Sequence, residues 1–367
     1  MKFSILQQDF LPVLSSVSRS CGVRSQLPIL SNILLKVEGS KLKVSGTNLE
    51  IGVVKTLNIE AGEDGDITIP SKTLVEVIAN LSGEKLELES HSDLIEISTT
   101  TFSSKMNGIS ASEFPEIPLI GKETASVKPE ILVKSLPQVT FAAASDDGRP
   151  ILTGILTEIK DKKLQLVATD GYRLASKIVE TPETSNFKAL VPRKTFEEVI
   201  RLISEDESDT VNIATSDDQN QIIFKFGNTQ VSSRLIEGQF PAWEKIIPSE
   251  TKVRLIIERA ETLKAVKLAS VFTRSEANIV KLQTNPSGGI ILTSEAKEVG
   301  NQKKEIEAQV EGGEIQIAFN AKFLIDVLAA ISTSQVIMEL SGSLSAALIK
   351  PMGEEGLQYI IMPVNLS

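Results

Sequence analysis

The stretch VATDGYRLAS, residues 167 to 176, sets Thr169, Asp170 and Gly171 side by side. These residue types could do chemistry: a carboxylate as general base, a hydroxyl as nucleophile, a glycine amide as donor to an anion. Asp146, Asp147, Asp217 and Asp218 add oxygen ligands of the kind that hold Mg²⁺ in a hydrolase. A plainer reading accounts for the same residues. Asp before Gly marks a tight turn, and the flanks alternate apolar with polar as half-buried strands do. Asp146 and Asp147 precede Gly148, Asp217 and Asp218 sit in the turn-like SDDQNQ, and no phosphate-cradling G-x-x-x-x-G-K-[ST] loop occurs. The turn is the preferred reading, with the Mg²⁺-dependent hydrolase kept as the alternative.

The rest of the chemical inventory is narrow. Cys21 is the single cysteine and His91 the single histidine, which excludes disulfides within the chain, Cys/His zinc sites, Cys–His nucleophile pairs and any serine triad lacking His91. His91 lies in the polar ESHSDL and reads as a surface residue at a hairpin tip. No metal and no cofactor is expected. The N-terminus MKFSILQQDFL lacks an apolar run long enough for a signal peptide, and no segment approaches a membrane span. A cytoplasmic protein is therefore expected. A length of 367 residues predicts two or three domains, and a net charge of −10 argues at face value against nucleic acid.

The elements that must position these residues are repeated. ITIPSKTLVEVIANL (67 to 81), ALVPRKTFEEVIRLI (189 to 203) and IAFNAKFLIDVLAAI (317 to 331) share a strand end, a Pro or Asn, a Lys two residues later and helical apolar spacing. LPILSNILLKVEGSKLKVSGTNLE (27 to 50) aligns with RPILTGILTEIKDKKLQLVATDGY (149 to 172) at the same offset of 122 that relates the first two. So long a period means a whole domain copied three times, near 1–122, 123–249 and 250–367. In the first copy Asp9 is the expected cap of a helix with Pro12 in its first turn, and Ser71 the expected cap of a second. Short strands separated by turn residues follow each helix, so each copy reads as two βαβββ units of an α+β fold.

VATDGYRLA, RLIEGQFPAWEKIIP, FNAKFLIDVL and the terminal YIIMPVNL, in this order on a threefold duplication, resemble the bacterial DNA polymerase III beta subunit family, the sliding clamps. The resemblance runs the full length. It implies a non-catalytic clamp that gives a polymerase processivity: three similar domains per chain, and a head-to-tail ring of two chains with helices lining the pore around duplex DNA. The charge fits that picture, because the six helix-bearing windows together carry +4 in a chain of −10. A comparatively basic inner wall would touch phosphates without reading sequence. Arg24 matches an arginine that the family uses on DNA, and Arg149 is its equivalent at the 122 offset; Lys194, Arg201, Lys264 and Lys267 are added from helix position and charge.

The resemblance also turns VATDGYRLAS into one wall of a peptide cleft between the second and third domains. Thr169, Gly171, Arg173 and Leu174 are the family's pocket positions there, with Tyr172 where His is frequent. Leu152, Pro241 and Ile246 match in the second domain. Asn320, Phe323, Leu344 and Ile360 match in the third, followed by Met362, Pro363 and Val364 in the tail. Asn365 stands where Arg is common, and Ser367 extends the tail. The implied partners are duplex DNA, a second copy, the polymerase alpha subunit, the clamp loader, and other polymerases and repair proteins that carry a short Gln-x-x-Leu-Phe type motif. No membrane partner is expected. The dimer contact is placed between the edge strand around Phe102 and KLASVFTR, with Val271 and Phe272 as anchors. A scaffold that does not bind DNA is the remaining alternative.

Overall fold

The computed structural model describes every residue except 23–26, 61, 82, 122, 147, 183–184, 217–219, 274–277, 286–287, 297–299 and 366–367. The first copy runs β1 (Lys2–Leu6), α1 (Gln7–Ser18), β2 (Asn32–Glu38), β3 (Lys41–Thr47) and β4 (Ile51–Asn58). It continues with β5 (Gly65–Pro70), α2 (Ser71–Ala79), β6 (Lys85–His91), β7 (Leu94–Ser98) and β8 (Ser103–Asn107). The second is β9 (Ala125–Val127), α3 (Pro129–Ser135), α4 (Pro137–Thr140), β10 (Gly154–Lys160), β11 (Lys163–Thr169) and β12 (Arg173–Glu180). Then come β13 (Phe187–Pro192), α5 (Arg193–Ile203), β14 (Val211–Thr215), β15 (Gln221–Phe226) and β16 (Thr229–Arg234). The third is β17 (Val253–Glu258), α6 (Arg259–Thr273), β18 (Ile279–Thr284), β19 (Ile290–Ala296), β20 (Gly300–Ile306) and β21 (Ala308–Gly312). It closes with β22 (Gln316–Asn320), α7 (Ala321–Ala330), β23 (Gln335–Leu340), β24 (Ala347–Pro351) and β25 (Leu357–Ile361). The two-unit pattern holds in all three copies, with β21 as an added strand.

Contacts divide the chain into two compact units, residues 1–129 with 194–235, and 130–193 with 236–367. In the first unit one sheet is ordered β1-β6-β7-β8 and another β5-β2-β3-β4-β16-β15-β14-β9. In the second unit the orders are β13-β10-β11-β12-β25-β24-β23-β17-β21 and β20-β19-β18-β22. Two rules follow. The strand that opens each βαβββ unit pairs with the three-stranded meander of the other unit in its copy, so neither unit is closed by itself. And where copies join, the last strand of a first unit pairs antiparallel with the last strand of the next copy's second unit: β4 with β16, and β12 with β25.

Aliphatic side chains build the cores that the low aromatic content requires. Leu35, Val37, Ile67 and Ile69 are buried in the first unit, and Ile155, Leu166, Leu255 and Val336 in the second. On α5 the spacing of Phe196, Val199, Leu202 and Ile203 puts one stripe inside while Lys194 and Glu197 stay exposed. Two expected caps are not caps. Strands β1 and β5 run straight into α1 and α2, so Leu6 and Pro70 occupy the cap positions. Asp9 lies inside the first turn of α1, Pro12 inside the helix, and Ser71 is the buried first residue of α2. In the second copy the helix after β9 is interrupted: α3 stops at Ser135 and α4 restarts at Pro137, whose ring nitrogen has no hydrogen to donate.

Candidate functional site

Residues 169 to 173 form the turn between β11 and β12, and their polar groups are spent on it. The Thr169 hydroxyl accepts from Gly171 N–H (3.0 Å) and donates to the Arg173 carbonyl (2.6 Å). Asp170 Oδ1 accepts from the N–H groups of Tyr172 (2.9 Å) and Arg173 (3.0 Å). Gly171 takes φ +88°, a left-handed conformation that favours glycine, while the one atom a Cβ would crowd, Arg149 Nη1 at 2.8 Å, ends a flexible side chain that can move away. A hydroxyl and a carboxylate bound this way are turn-formers rather than nucleophile and base. Elsewhere, Asp146 accepts from Gly148 N–H in its own loop, and Asp147, Asp217 and Asp218 lie outside the described residues. Among the described residues no three His, Cys, Asp or Glu side chains are grouped to hold a metal ion. Burial pushes the Cys21 thiol up to about 11, against a smaller opposing effect of Ser71, so it is protonated at neutral pH and a poor nucleophile. His91 is exposed beside Glu89 at 3.0 Å.

Arg173 is 8% exposed, and its charge faces inward. Nε donates to Asp170 (3.1 Å), Nη1 to Asp326 on α7 (2.5 Å) and Nη2 to the Phe141 carbonyl just past α4 (2.9 Å). The guanidinium also lies over the rings of Phe323 (4.7 Å) and Phe141 (5.3 Å). It fastens the turn to two helices instead of offering itself to a ligand.

Beside the turn lies an apolar floor. Leu174 and Ile360 are register partners across β12 and β25, and they pack with Leu156, Val167, Leu190, Trp243 and Leu348. Ile151, Phe240, Ile247 and Ala346 rest half-buried on the same cluster. The other expected residues lie one or two positions away along the chain: Leu152 buried, Pro241 exposed, and Ile246 and Leu344 left 42% and 67% exposed. Tyr172 and Met362 are also open, at 59% and 39%. These are large side chains left in water, and covering each would be worth about 1.5 to 3 kcal/mol. The tail is fixed in place by Met362 N–H to the Tyr172 carbonyl (2.9 Å) and Val364 N–H to the Ala318 carbonyl (2.8 Å), with Pro363 half-buried between them. Asn320 caps α7 by accepting from Lys322 N–H (2.9 Å). Phe323 stacks on Tyr172 with ring centres 6.4 Å apart.

The cations separate into two classes. Lys194, Lys264 and Lys267 are exposed, and among the described residues none of them holds an ion pair. Arg201 on α5 is engaged by Glu198 (2.5 Å), Glu205 (2.5 Å) and the Ser16 carbonyl (3.2 Å). Its neighbour Glu205 loses solvation by burial, yet the Ser16 hydroxyl, Lys55 and the charge of Arg201 outweigh that and hold its carboxyl below the usual range. Arg149 is not on a helix wall: it precedes the short turn Pro150–Thr153 and lies 5.9 Å over the Tyr172 ring, beside the apolar floor. Arg24 lies outside the described residues. Phe102 is half-buried in the β7–β8 hairpin, its N–H bonded to Thr99 Oγ1 (3.1 Å). Val271 is 51% exposed and Phe272 half-buried at the end of α6, whose outer face runs Lys264, Lys267, Leu268, Val271. Sequence reasoning missed Asp326 and Phe141, because a residue that acts by holding Arg173 has no motif of its own.

Comparison with known proteins covers the whole chain. Residues 1–118, 126–242 and 244–365 match the N-terminal, central and C-terminal domain models of the DNA polymerase III beta subunit. The beta sliding clamp of Synechococcus elongatus is 30% identical over 375 residues, covering 100% of both chains. That of Staphylococcus aureus is 28% identical, covering 100% of this chain and 99% of the relative. Among solved structures, the DNA polymerase sliding clamps of Pseudomonas aeruginosa and Bacillus subtilis superpose with TM-scores of 0.94 and 0.95 at 28% and 26% identity, each covering 100% of both chains.

Proposed function

This chain belongs to the DNA polymerase III beta subunit family, the beta sliding clamps, and from that premise we propose how it closes around DNA, which side chains meet the duplex and where its partners dock. It is a non-catalytic DNA sliding clamp. The observation that carries the ring is the rule of the sheet junctions. The last strand of each first unit pairs with the last strand of the next copy's second unit, which uses β4, β16, β12 and β25. The same rule leaves β20, from the third copy's first unit, and β8, from the first copy's second unit, each at the edge of a four-stranded sheet. Pairing β20 of one protomer with β8 of another extends the rule across chains, and a second such contact closes a head-to-tail dimer, the ring typical of the family. Half-buried Phe102 flanks β8 and exposed Val271 ends α6, so both junction strands have apolar anchors near them.

Duplex DNA is held without sequence readout by Lys194, Lys264 and Lys267, which are exposed and hold no ion pair among the described residues, with Arg24 as the family's contact. Arg201 makes no phosphate contact, because its charge is already shared with two carboxylates. The floor of Leu174, Ile360 and Trp243, walled by Tyr172, Ile246, Leu344 and Met362, receives the apolar residues of a short Gln-x-x-Leu-Phe type motif, the means by which the polymerase alpha subunit, the clamp loader and other polymerases and repair proteins reach the ring. Arg149 belongs to this cleft by its stacking on Tyr172. Three domains with boundaries near 122 and 249 remain our division of the chain, and the cytoplasm its compartment; among the described residues no helix is long and apolar enough to cross a membrane. Titrating a labelled peptide of that type tests the cleft: micromolar binding by the whole chain, lost when Leu174 is replaced by Glu, supports it, and equal binding by both removes it.

A further inference from the structure

Resting on that cleft reading, we infer that Asp326, which lies on the opposite side of the sheet from the apolar floor, is a positioning residue for partner binding and sets the shape of the turn at 169–173 through Arg173. The opposite placement follows from strand alternation. Leu174 and Ile360 point to the floor, while their neighbours Arg173 and Tyr359 point to the helix side, where both meet Phe141. Asp326 sits on α7 and takes Nη1 of Arg173 at 2.5 Å. Arg173 passes the constraint on, since Asp170 receives its Nε and also fixes the N–H groups of Tyr172 and Arg173.

A ladder in which each of two arginines is followed by a pair of rings joins the two sides. Arg149 lies over Tyr172, Tyr172 stacks on Phe323, Arg173 lies between Phe323 and Phe141, and Phe141 packs on Tyr359. Tyr172, next to its outer end at Arg149, is an open wall of the cleft, and its inner end, Tyr359, is fully buried. A cation stacked between two rings and bonded on three sides has one orientation, so releasing the Asp326 side frees the guanidinium to turn and the wall to shift. Asp326 keeps 29% of its side chain exposed, so asparagine in its place buries no new unpaired group.

The test titrates a fluorescent Gln-x-x-Leu-Phe type peptide against the full chain and the variants Asp326→Asn, Asp326→Glu, Arg173→Met and the double variant Asp326→Asn with Arg173→Met. Native mass and the emission of Trp243, the single tryptophan, report folding. The inference expects Asp326→Asn to weaken the peptide by about tenfold, Asp326→Glu to recover most of it, and the double variant to bind no worse than Arg173→Met alone. Full affinity in Asp326→Asn, or losses that multiply in the double variant, overturns it. If Arg173→Met does not fold, exchange of the Gly171, Tyr172 and Arg173 amides in Asp326→Asn decides: faster exchange at these three supports the inference, and an unchanged rate overturns it. Failure of the cleft reading looks different, because there the unaltered chain does not bind the peptide, and the inference falls with it.

Discussion

The junction of β12 with β25 and the end of the chain's third copy at β20 and α6 are built from equivalent strands and helices, yet one is settled and the other open. At the junction every residue from Arg173 to Lys177 is buried, Leu174 faces Ile360 in register, and Arg173 and Lys177 are paired with Asp326 and Glu354. At the open end β20 shows mostly exposed residues, and α6 leaves Leu268 50% and Val271 51% exposed beside two lysines that have no carboxylate partner among the described residues. The same architecture ends satisfied in one place and unsatisfied in the other. On the reading proposed above, what is unfinished here is what a second chain and a polyanion would complete.

The largest effect is expected where that contrast is sharpest. Val271→Glu together with Phe272→Glu puts charge into the proposed contact and should weaken the dimer by a hundredfold or more, about 3 kcal/mol for a lost anchor pair. Native mass spectrometry should then find single chains of 39.8 kDa, with peptide binding at the β12–β25 side unchanged. Dimers that survive the double substitution break the comparison.

Next, deleting residues 362 to 367 strips Met362, Pro363 and Val364 from the settled side. Peptide affinity should fall by about 2 kcal/mol or more, while the mass stays that of a dimer. A third expectation separates the two classes of cation. Replacing Lys264 and Lys267 with Ala should lower the salt slope of DNA binding by about one unit for each lost phosphate contact, and Arg201→Ala should leave the slope as it was. Equal slopes for all variants would erase the distinction between free and engaged cations.

The smallest effect concerns pH. The Glu205 carboxyl is held below its ordinary value of 4.5, so its contribution is present above that pH and fades as pH falls through the folded value. The melting temperature of Glu205→Gln should lie below that of the unaltered chain at pH 7 and converge with it at acid pH. The difference should be under about 1 kcal/mol, because a partly exposed pair is screened. A gap that widens on acidification contradicts the assignment.

Much of the fold was legible because duplication writes itself in the sequence: ALVPRKTFEEVIRLI and IAFNAKFLIDVLAAI give away a strand running into a helix without any contact being known. The direct β1–α1 and β5–α2 passages were missed for a local reason, since Asp9 and Ser71 have the right chemistry for caps and only the backbone shows the helix starting earlier. Strand pairing between copies was not legible at all, as β4 and β16 lie far apart in the chain and alternation names a strand's faces, not its neighbour. The site divides the same way. The resemblance assigns Leu174, Ile360 and Met362 to one pocket, and the first two do pack in one cluster, but the inward turn of Arg173 depends on Asp326 and Phe141, each distant in sequence. Arg201 was named from helix position and charge alone, which do not reveal that Glu198, Glu205 and the distant Ser16 carbonyl already engage it.

The central claim is that topology, and not affinity, keeps this protein on DNA. It is tested most directly by loading the chain with its clamp loader onto nicked circular duplex, linearising the circle with a single cut, and following what remains bound. The account predicts stable retention on the circle and rapid loss from the free ends after the cut, with no retention on either form for the Val271→Glu, Phe272→Glu chain. Equal retention on circular and linear DNA would contradict it.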